Sequence, residues 1–368
     1  MQKYNKKKNV IPKKIVLYGG SFDPFHAGHL KSAQMALKAI NADVLYLIVS
    51  HLSPFKKRIN ASNYHRIQMI KIATKQFSKI KISLDEIKNK NSYFYKTLKA
   101  FKKRFKNDQL FSLIGSDHLS TFDKWENAEW ISKNSQIIYL DRPGFPVVHE
   151  NVKKFKMQRI GETLIDISSS TLRRKSIKKW MNPLVIKYIN DNCVYANKRI
   201  QERLSNERWQ HCLRTARFAK RLARSCNYKN PNEAYVAGLF HDLAKELSKD
   251  DLLKYASLLN IKKFTSIKTL HPFAAYYIMK HDYLFDNETI LNAVYRHTEP
   301  IQKKLTVLDK IIYVADKIEP GRKKDKERQL FDINIMQKLA LKNVNQAFKK
   351  IYKITLDFFL KKTKIKYN

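Results

Sequence analysis

The chain has 368 residues, 43% of them hydrophobic and 29% charged, which is more than one ordinary core requires and the balance of a folded chain rather than a disordered one. No apolar run is long enough to span a bilayer and no secretory leader precedes the first strand-like run. Three cysteines (Cys193, Cys212, Cys226) without a CxxC spacing argue against a disulfide framework or a zinc ribbon, so a cytoplasmic location is expected.

Residues 14 to about 145 alternate short β-branched or aromatic runs with helical patterns. The strands expected are KIVLYG, DVLYLIVS, KIKISLDE, LFSLIGS and SQIIYLDR. Helices are expected at His29 to Ala39, His65 to Phe77 and Phe94 to Phe105. That alternation implies βα units on a parallel sheet. After about Arg173 the strand signal stops, and from Glu202 onward the pattern is amphipathic helix, broken at Asn230-Pro231, His271-Pro272, Glu299-Pro300 and Pro320-Gly321. Two domains are expected, 1–197 as α/β and 202–368 as all-α. The net charge of +41 invites a nucleic-acid or lipid partner. The lysines are spread along the whole length, and the short clusters lack interleaved aromatics. They are read as solvated faces, with no specific nucleic acid and no membrane as partner.

The first chemical motif is Gly19-Gly20-Ser21-Phe22-Asp23-Pro24-Phe25-His26-Ala27-Gly28-His29-Leu30, placed between an apolar strand and a helix. Glycines at the strand end let a backbone approach a phosphate, and the helix start offers free N–H groups and a positive dipole end. His26 and His29 fall on one side of the first helical turn, where two imidazoles can donate to charge building on phosphorus. A plain strand-loop-helix turn with two surface histidines is the bland alternative.

These residues resemble the (H/T)xGH nucleotidyltransferase superfamily, and the stretch from Lys14 to about Tyr195 resembles the bacterial nicotinate-mononucleotide adenylyltransferases. The blocks carrying the resemblance, in order, are GGSFDPFHAGH, Ser53-Pro54-Phe55-Lys56, His65-Arg66-Ile67-Gln68-Met69, Ser92-Tyr93 with Thr97-Leu98, Gly115-Ser116-Asp117 with Trp125, Arg142-Pro143-Gly144-Phe145, and Ile167-Ser168-Ser169-Ser170-Thr171-Leu172-Arg173. The resemblance implies a Rossmann-like domain that binds Mg²⁺-ATP. His26, His29, Arg173 and Lys56 would act on the phosphates. Gly19, Gly20, Ser21, Phe22, Gly115, Asp117, Ser168 and Ser169 would complete the ATP site. Trp125, Thr97 and Arg142 would face nicotinate mononucleotide, with Trp125 offering a flat ring for the pyridine. The implied chemistry is in-line attack of the mononucleotide phosphate on the α-phosphorus of ATP. The chain departs from the pattern at Phe94, Lys96, Phe55 and Ser116. The first two bear on the acid-versus-amide choice at the pyridine ring and leave the phosphate machinery intact.

The second half carries His211, His241-Asp242, His271, His297 and Asp316 in helical contexts. Imidazole and carboxylate together suit iron, manganese, zinc or cobalt. The order resembles the HD superfamily of phosphohydrolases, and more narrowly the bacterial HD family that cleaves diadenosine tetraphosphate to two ADP. The matching stretches are Arg208 to His211, Ala237 to Lys245, Leu270-His271, Tyr295 to Thr298, and Leu308 to Pro320 with Arg322. The resemblance implies an all-α HD domain. One metal, iron first among the choices, would lie on His211, His241, Asp242 and Asp316. Asp242 would bridge to a second on His271 and His297. Asp242 is thus the key acid, and Lys245, Arg296 and Arg322 are the cations for the polyphosphate. His281 is read as a surface residue. Glu299 stands where glycine is usual.

A bifunctional enzyme is therefore expected. The alternatives are a transferase carrying a non-catalytic nucleotide-binding HD module, and a basic RNA-associated protein on degenerate enzyme folds. The sequence leaves assembly into a homo-oligomer open.

Overall fold

The structure, a computed structural model, describes residues 11–52, 59–90, 92–163, 167–298, 305–324 and 330–364. It divides into two compact units. The first comprises residues 1–173 and 177–185, the second residues 174–176 and 186–368. The backbone therefore passes between the units three times, near residues 173, 176 and 185.

In the first unit six strands form one parallel sheet in the order β3-β2-β1-β4-β5-β6. They are β1 (Lys14–Gly20), β2 (Val44–Val49), β3 (Ile80–Ser83), β4 (Gln109–Gly115), β5 (Gln136–Asp141) and β6 (Gln158–Glu162). The five strands expected from sequence are present. β6 was not expected: its QRIGE has no buried position and no apolar alternation, as suits an edge strand held only by its backbone. The connecting helices are α1 (Ala27–Ala39), α2 (Asn63–Thr74), α3 (Asp85–Lys88), α4 (Phe94–Arg104), α5 (Ala128–Asn134), α6 (His149–Lys154) and α7 (Ser169–Arg174). Ile15, Leu17, Ile48, Leu98, Phe101, Leu119 and Ile131 are fully buried in one core, each contributing about 1.5–3 kcal/mol. In such a sheet the order reverses between β1 and β4, and ligands settle outside the carboxyl ends of those two strands.

Next come α8 (Pro183–Asp191) and α9 (Ala196–Arg199). Arg199 is 1% exposed. Its guanidinium donates to Asn190 Oδ1 (2.7 Å) and Ser176 Oγ (2.8 Å) and lies 4.9 Å from the centre of the Tyr283 ring. Residues 174–176 and 186–201 thus pack with the helical unit, upstream of the composition switch near 197–203.

The second unit is helical: α10 (Asn206–Ser225), α11 (Pro231–Phe240), α12 (Lys249–Leu258), α13 (His271–Tyr277), α14 (Glu288–Tyr295), α15 (Val307–Ile318), α16 (Ile333–Lys342) and α17 (Val344–Lys364). Small residues bring α10 and α11 together. A Cβ on Gly238 would meet the Ala216 Cα at 2.9 Å, so only glycine permits that approach. α15 is amphipathic, with Ile311, Ile312, Val314, Ala315 and Ile318 fully buried. Among the described residues no helix is long and apolar enough to cross a membrane.

Candidate active sites

In the first unit the sequence sets up a histidine capping box. His26 is the N-cap of α1, and its Nδ1 accepts the Gly28 N–H at 3.2 Å. His29, at the third helical position, accepts the His26 N–H on its own Nδ1 at 3.3 Å. The rings lie 3.8 Å apart between centroids. Because each Nδ1 accepts, each neutral ring carries its proton on Nε2, which becomes a donor. Burial, then the charge of Arg142, pushes His26 down to about 3, so at neutral pH it donates as an uncharged imidazole.

Two arginines hold the loop between β1 and α1 by its carbonyl oxygens. Arg66 is fully buried and donates to Ser21 O (2.6 Å), Ser50 O (2.6 Å) and Asn63 Oδ1 (2.7 Å). Arg173 donates to Asp23 O at 2.6 Å, and Ser169 Oγ to Pro24 O at 3.1 Å. Asp23 accepts from the Asn60 and Ala61 N–H groups at 2.8 and 3.1 Å. Holding the carbonyls in this way fixes the loop that carries His26 and His29.

The loop borders a cavity of about 420 Å³ at the carboxyl ends of β1 and β4, a size suited to nucleotide-scale ligands. Gly19, Gly20, Ser21, Phe22, His26, His29, Gly115, Asp117, Trp125, Arg142 and Ser169 all line it. Asp117 Oδ2 pairs with Arg142 Nη1 at 2.8 Å. A Cβ on Gly115 would run into Asp117 and Arg142, so glycine makes room for that pair. Trp125 meets Phe94 edge-on at 6.0 Å and His118 at 5.5 Å. Asp117 Oδ1 and the Trp125 indole N–H are buried without a hydrogen-bond partner among the described residues. An acceptor and a donor left unmatched in one cavity fit a polar ligand.

Two expected residues are placed differently, and a third cannot be placed. Thr97 is buried in α4 and absent from the cavity wall; its hydroxyl donates to Glu86 Oε1 at 3.1 Å, and Glu86 lines the cavity. Ser168 accepts the Thr171 N–H at 3.1 Å and caps α7. Lys56 lies outside the described residues.

In the second unit five helix ends and faces converge. His211 comes from α10, His241-Asp242 from the end of α11, His271 from the start of α13, His297 from just beyond α14, and Asp316 from α15. All six are buried. Asp242 divides its oxygens. Oδ2 faces His211 Nε2 (3.8 Å) and His241 Nε2 (3.5 Å), both also near Asp316 Oδ1 at 3.1 and 3.6 Å. Oδ1 faces His271 Nε2 at 3.0 Å and His297 Nε2 at 3.6 Å.

The reverse edge of every ring is engaged. Nδ1 of His241, His271 and His297 meets the carbonyl of Gly238 (2.8 Å), Lys268 (2.8 Å) and Val294 (2.6 Å), and Nδ1 of His211 meets Glu319 Oε1 at 3.2 Å. A carbonyl or carboxylate there requires N–H on Nδ1, which leaves the Nε2 lone pair facing the cluster. Burial pushes His271 down and His297 down to about 4, so both are neutral at pH 7. Burial opposes ionisation of Asp242, but the imidazoles of His241, His271 and His297 around it outweigh burial and hold the carboxyl well below its usual range. Two groups in this cluster, His211–His241–Asp316 and His241–Asp242–His297, bring imidazole and carboxylate ligand atoms close enough to hold a divalent cation.

Basic groups surround the cluster. Arg322 Nη2 lies 3.0 Å from Asp316 Oδ1, and Lys245 Nζ 3.3 Å from the His271 ring nitrogens. Arg296 is taken up elsewhere, by Asp309 at 3.1 Å. His281 is exposed, as expected. Three residues with no role assigned from sequence matter here. Arg208 Nη1 reaches Asp242 Oδ2 at 2.9 Å. Glu319 backs His211 and is itself held by Arg214 Nε at 2.8 Å. Burial opposes its ionisation too, but His211, Arg214 and the Gly321 N–H bring it down to about 2. Spacing could have flagged two of them: Arg208 stands three residues before His211, and Glu319 three after Asp316, each on the same helical side.

Fold and sites thus define a nucleotidyltransferase joined to an HD phosphohydrolase. The family models agree: residues 17–175 match the cytidylyltransferase-like model and residues 208–321 the HD domain. A protein of Mycoplasma pneumoniae named "Probable nicotinate-nucleotide adenylyltransferase/Ap4A hydrolase" is 36% identical over 93% of this chain and 98% of its own length. One of the same name from Mycoplasma genitalium is 35% identical over 95% and 98%. A "Probable nicotinate-nucleotide adenylyltransferase" of Endomicrobium trichonymphae is 33% identical over 50% of this chain and 98% of its own. The chain belongs to the family of two-part nicotinate-nucleotide adenylyltransferase/Ap4A hydrolases.

Proposed function

We propose that the first unit transfers AMP from ATP to nicotinate mononucleotide and that the second splits diadenosine tetraphosphate into two ADP. The observation that supports the first half is the histidine capping box at the mouth of the β1–β4 cavity. The mononucleotide phosphate oxygen bonds to the α-phosphorus of Mg²⁺-ATP, the bond to the β-phosphate bridging oxygen breaks, and pyrophosphate leaves. The Nε2–H groups of His26 and His29 and the α1 N-terminus take the charge on the phosphoryl oxygens. Arg66, Arg173 and Ser169 keep the loop in register. Lys56 adds charge toward the same phosphates. Trp125 stacks the pyridine, and Asp117 with Arg142 walls the nucleotide.

For the second half, the support is the set of four inward Nε2 lone pairs arranged around a divided Asp242. Divalent ions bound there supply Lewis-acid polarisation and acidify a water; iron is proposed, with manganese, cobalt and zinc as alternatives. His211, His241, Asp242 and Asp316 hold one ion, and Asp242, His271 and His297 the other. Arg208, Lys245 and Arg322 neutralise the polyphosphate while water adds to a central phosphorus and ADP departs. The test is product analysis of the intact protein. With ATP, Mg²⁺ and nicotinate mononucleotide it is expected to yield deamido-NAD and pyrophosphate. With diadenosine tetraphosphate and Fe²⁺ or Mn²⁺ it is expected to yield ADP alone. Formation of AMP with ATP would contradict the symmetric cleavage.

A further inference from the structure

Arg296 was expected to meet the polyphosphate, and the fold gives it other work. It closes α14: its N–H bonds to Asn292 O at 3.0 Å, and His297 follows directly. Its Nη1 donates to Asp309 Oδ2 at 3.1 Å. Asp309 is 2% exposed and completes a capping box at the start of α15. There Asp309 Oδ2 accepts the Thr306 N–H at 2.8 Å, and Thr306 Oγ1 accepts the Asp309 N–H at 3.1 Å. One carboxylate oxygen therefore ties the end of α14 to the start of α15.

Each tied end leads to the ligand cluster. His297 stands one residue beyond Arg296, with Nδ1 on Val294 O at 2.6 Å. Asp316 stands on α15 two turns beyond Asp309, on the same face. The reach from His297 to Asp316 therefore depends on how the end of α14 registers against α15. The pair is a poor stabiliser in itself. Arg296 Nε and Asp309 Oδ1 are buried without a hydrogen-bond partner among the described residues, and a buried ion pair recovers its desolvation cost only when its remaining donors and acceptors are satisfied. What it supplies is one defined geometry between two helix ends.

We propose that Arg296 and Asp309 are positioning residues for the second group of metal ligands. Arg296 does not touch the polyphosphate. Through Asp309 it holds His297 where that imidazole, with His271 and Asp242, takes an ion. Loss of either partner leaves the other charge buried and unpaired, and lets the turn carrying His297 shift from Asp242 Oδ1, which lies 3.6 Å from its Nε2. This rests on the two-ion reading above.

The test uses the full chain loaded with Mn²⁺. It reads ions bound per chain by elemental analysis, their affinities by competition titration, and KM for diadenosine tetraphosphate at saturating Mn²⁺. The wild type is expected to hold two ions. Asp309→Asn keeps the shape and the cap to Thr306 but removes the charge; it is expected to weaken one ion about tenfold and leave the other unchanged. Arg296→Met is expected to do the same with KM held within about twofold, and the double variant to do no more than either single one. Arg296→Lys keeps the charge and is expected to recover to within about threefold of wild type. Circular dichroism checks that each variant is folded, and Asp309→Asn decides alone if Arg296→Met is not. Wild-type affinity for both ions in folded Asp309→Asn overturns the inference, and so does equal weakening of the two. A KM raised about tenfold by Arg296→Met but not by Asp309→Asn also overturns it, and makes Arg296 a polyphosphate cation. A wild type that holds fewer than two ions overturns the two-ion reading, and this inference with it.

Discussion

The two sites use the same side chain in opposite senses. In the first unit His26 and His29 stand at a helix start, where free N–H groups occupy Nδ1 and make Nε2 a donor. In the second, His241 and His297 stand just past helix ends, where carbonyls three residues back occupy Nδ1 and make Nε2 an acceptor. The helix start at His26 and His29 therefore makes histidine a reagent for anions, and the helix ends at His241 and His297 make it a ligand for cations. For these four rings a backbone group sets the tautomer, whereas His211 relies on the Glu319 carboxylate.

The comparison can be broken most sharply at Asp242. Asp242→Ala removes the carboxylate shared by both ligand groups. Hydrolysis is expected to fall by about 10⁴-fold, with bound metal lost by elemental analysis and adenylyl transfer unchanged. A second break is His26→Asn. Asparagine still caps α1, so the melting temperature should hold, but it lacks the Nε2 donor. The expected loss is about 10²–10³ in kcat for adenylyl transfer, with hydrolysis intact; a variant that instead unfolds would make His26 a purely structural cap.

Glu319→Gln probes the backing of the metal site. The neutral amide still accepts from His211 but no longer polarises it, and metal affinity is expected to weaken about tenfold in a competition titration. Arg208→Ala is a smaller change. It should raise KM for diadenosine tetraphosphate about tenfold and leave metal content alone. Last, pH sharpens the contrast in stability. Glu86 is raised on folding, so its contribution is present below the unfolded value of 4.5 and is lost as pH rises through about 7. Glu86→Gln should flatten the fall in the first unit's melting temperature over that window.

Much of this was legible in the sequence because motif and element boundary coincide. GGSFDPFHAGHL joins an apolar strand to a helix, and the five ligand-bearing segments of the second half each sit at a helix terminus or on a helix face. Edge strand β6 was not legible, since its side chains carry no burial pattern. Nor was the role of Arg66, whose fully buried guanidinium works on carbonyls remote in sequence. The resemblance to HD phosphohydrolases offered Arg296 as a polyphosphate cation, yet the buried Asp309 pairs with it. A charge read from sequence has no partner until the fold supplies one.

The path of the backbone near residues 173 to 201 has a consequence for how this protein can be dissected. Because it changes unit three times and the Arg199 socket draws on Ser176 and Asn190, no single scission yields two whole halves. A fragment starting at residue 202 discards the filled socket, and one ending at residue 197 carries away side chains that the helical half needs. Gene truncations and limited proteolysis will therefore understate what each activity can do, and inactivating one site by point substitution is the way to study the other.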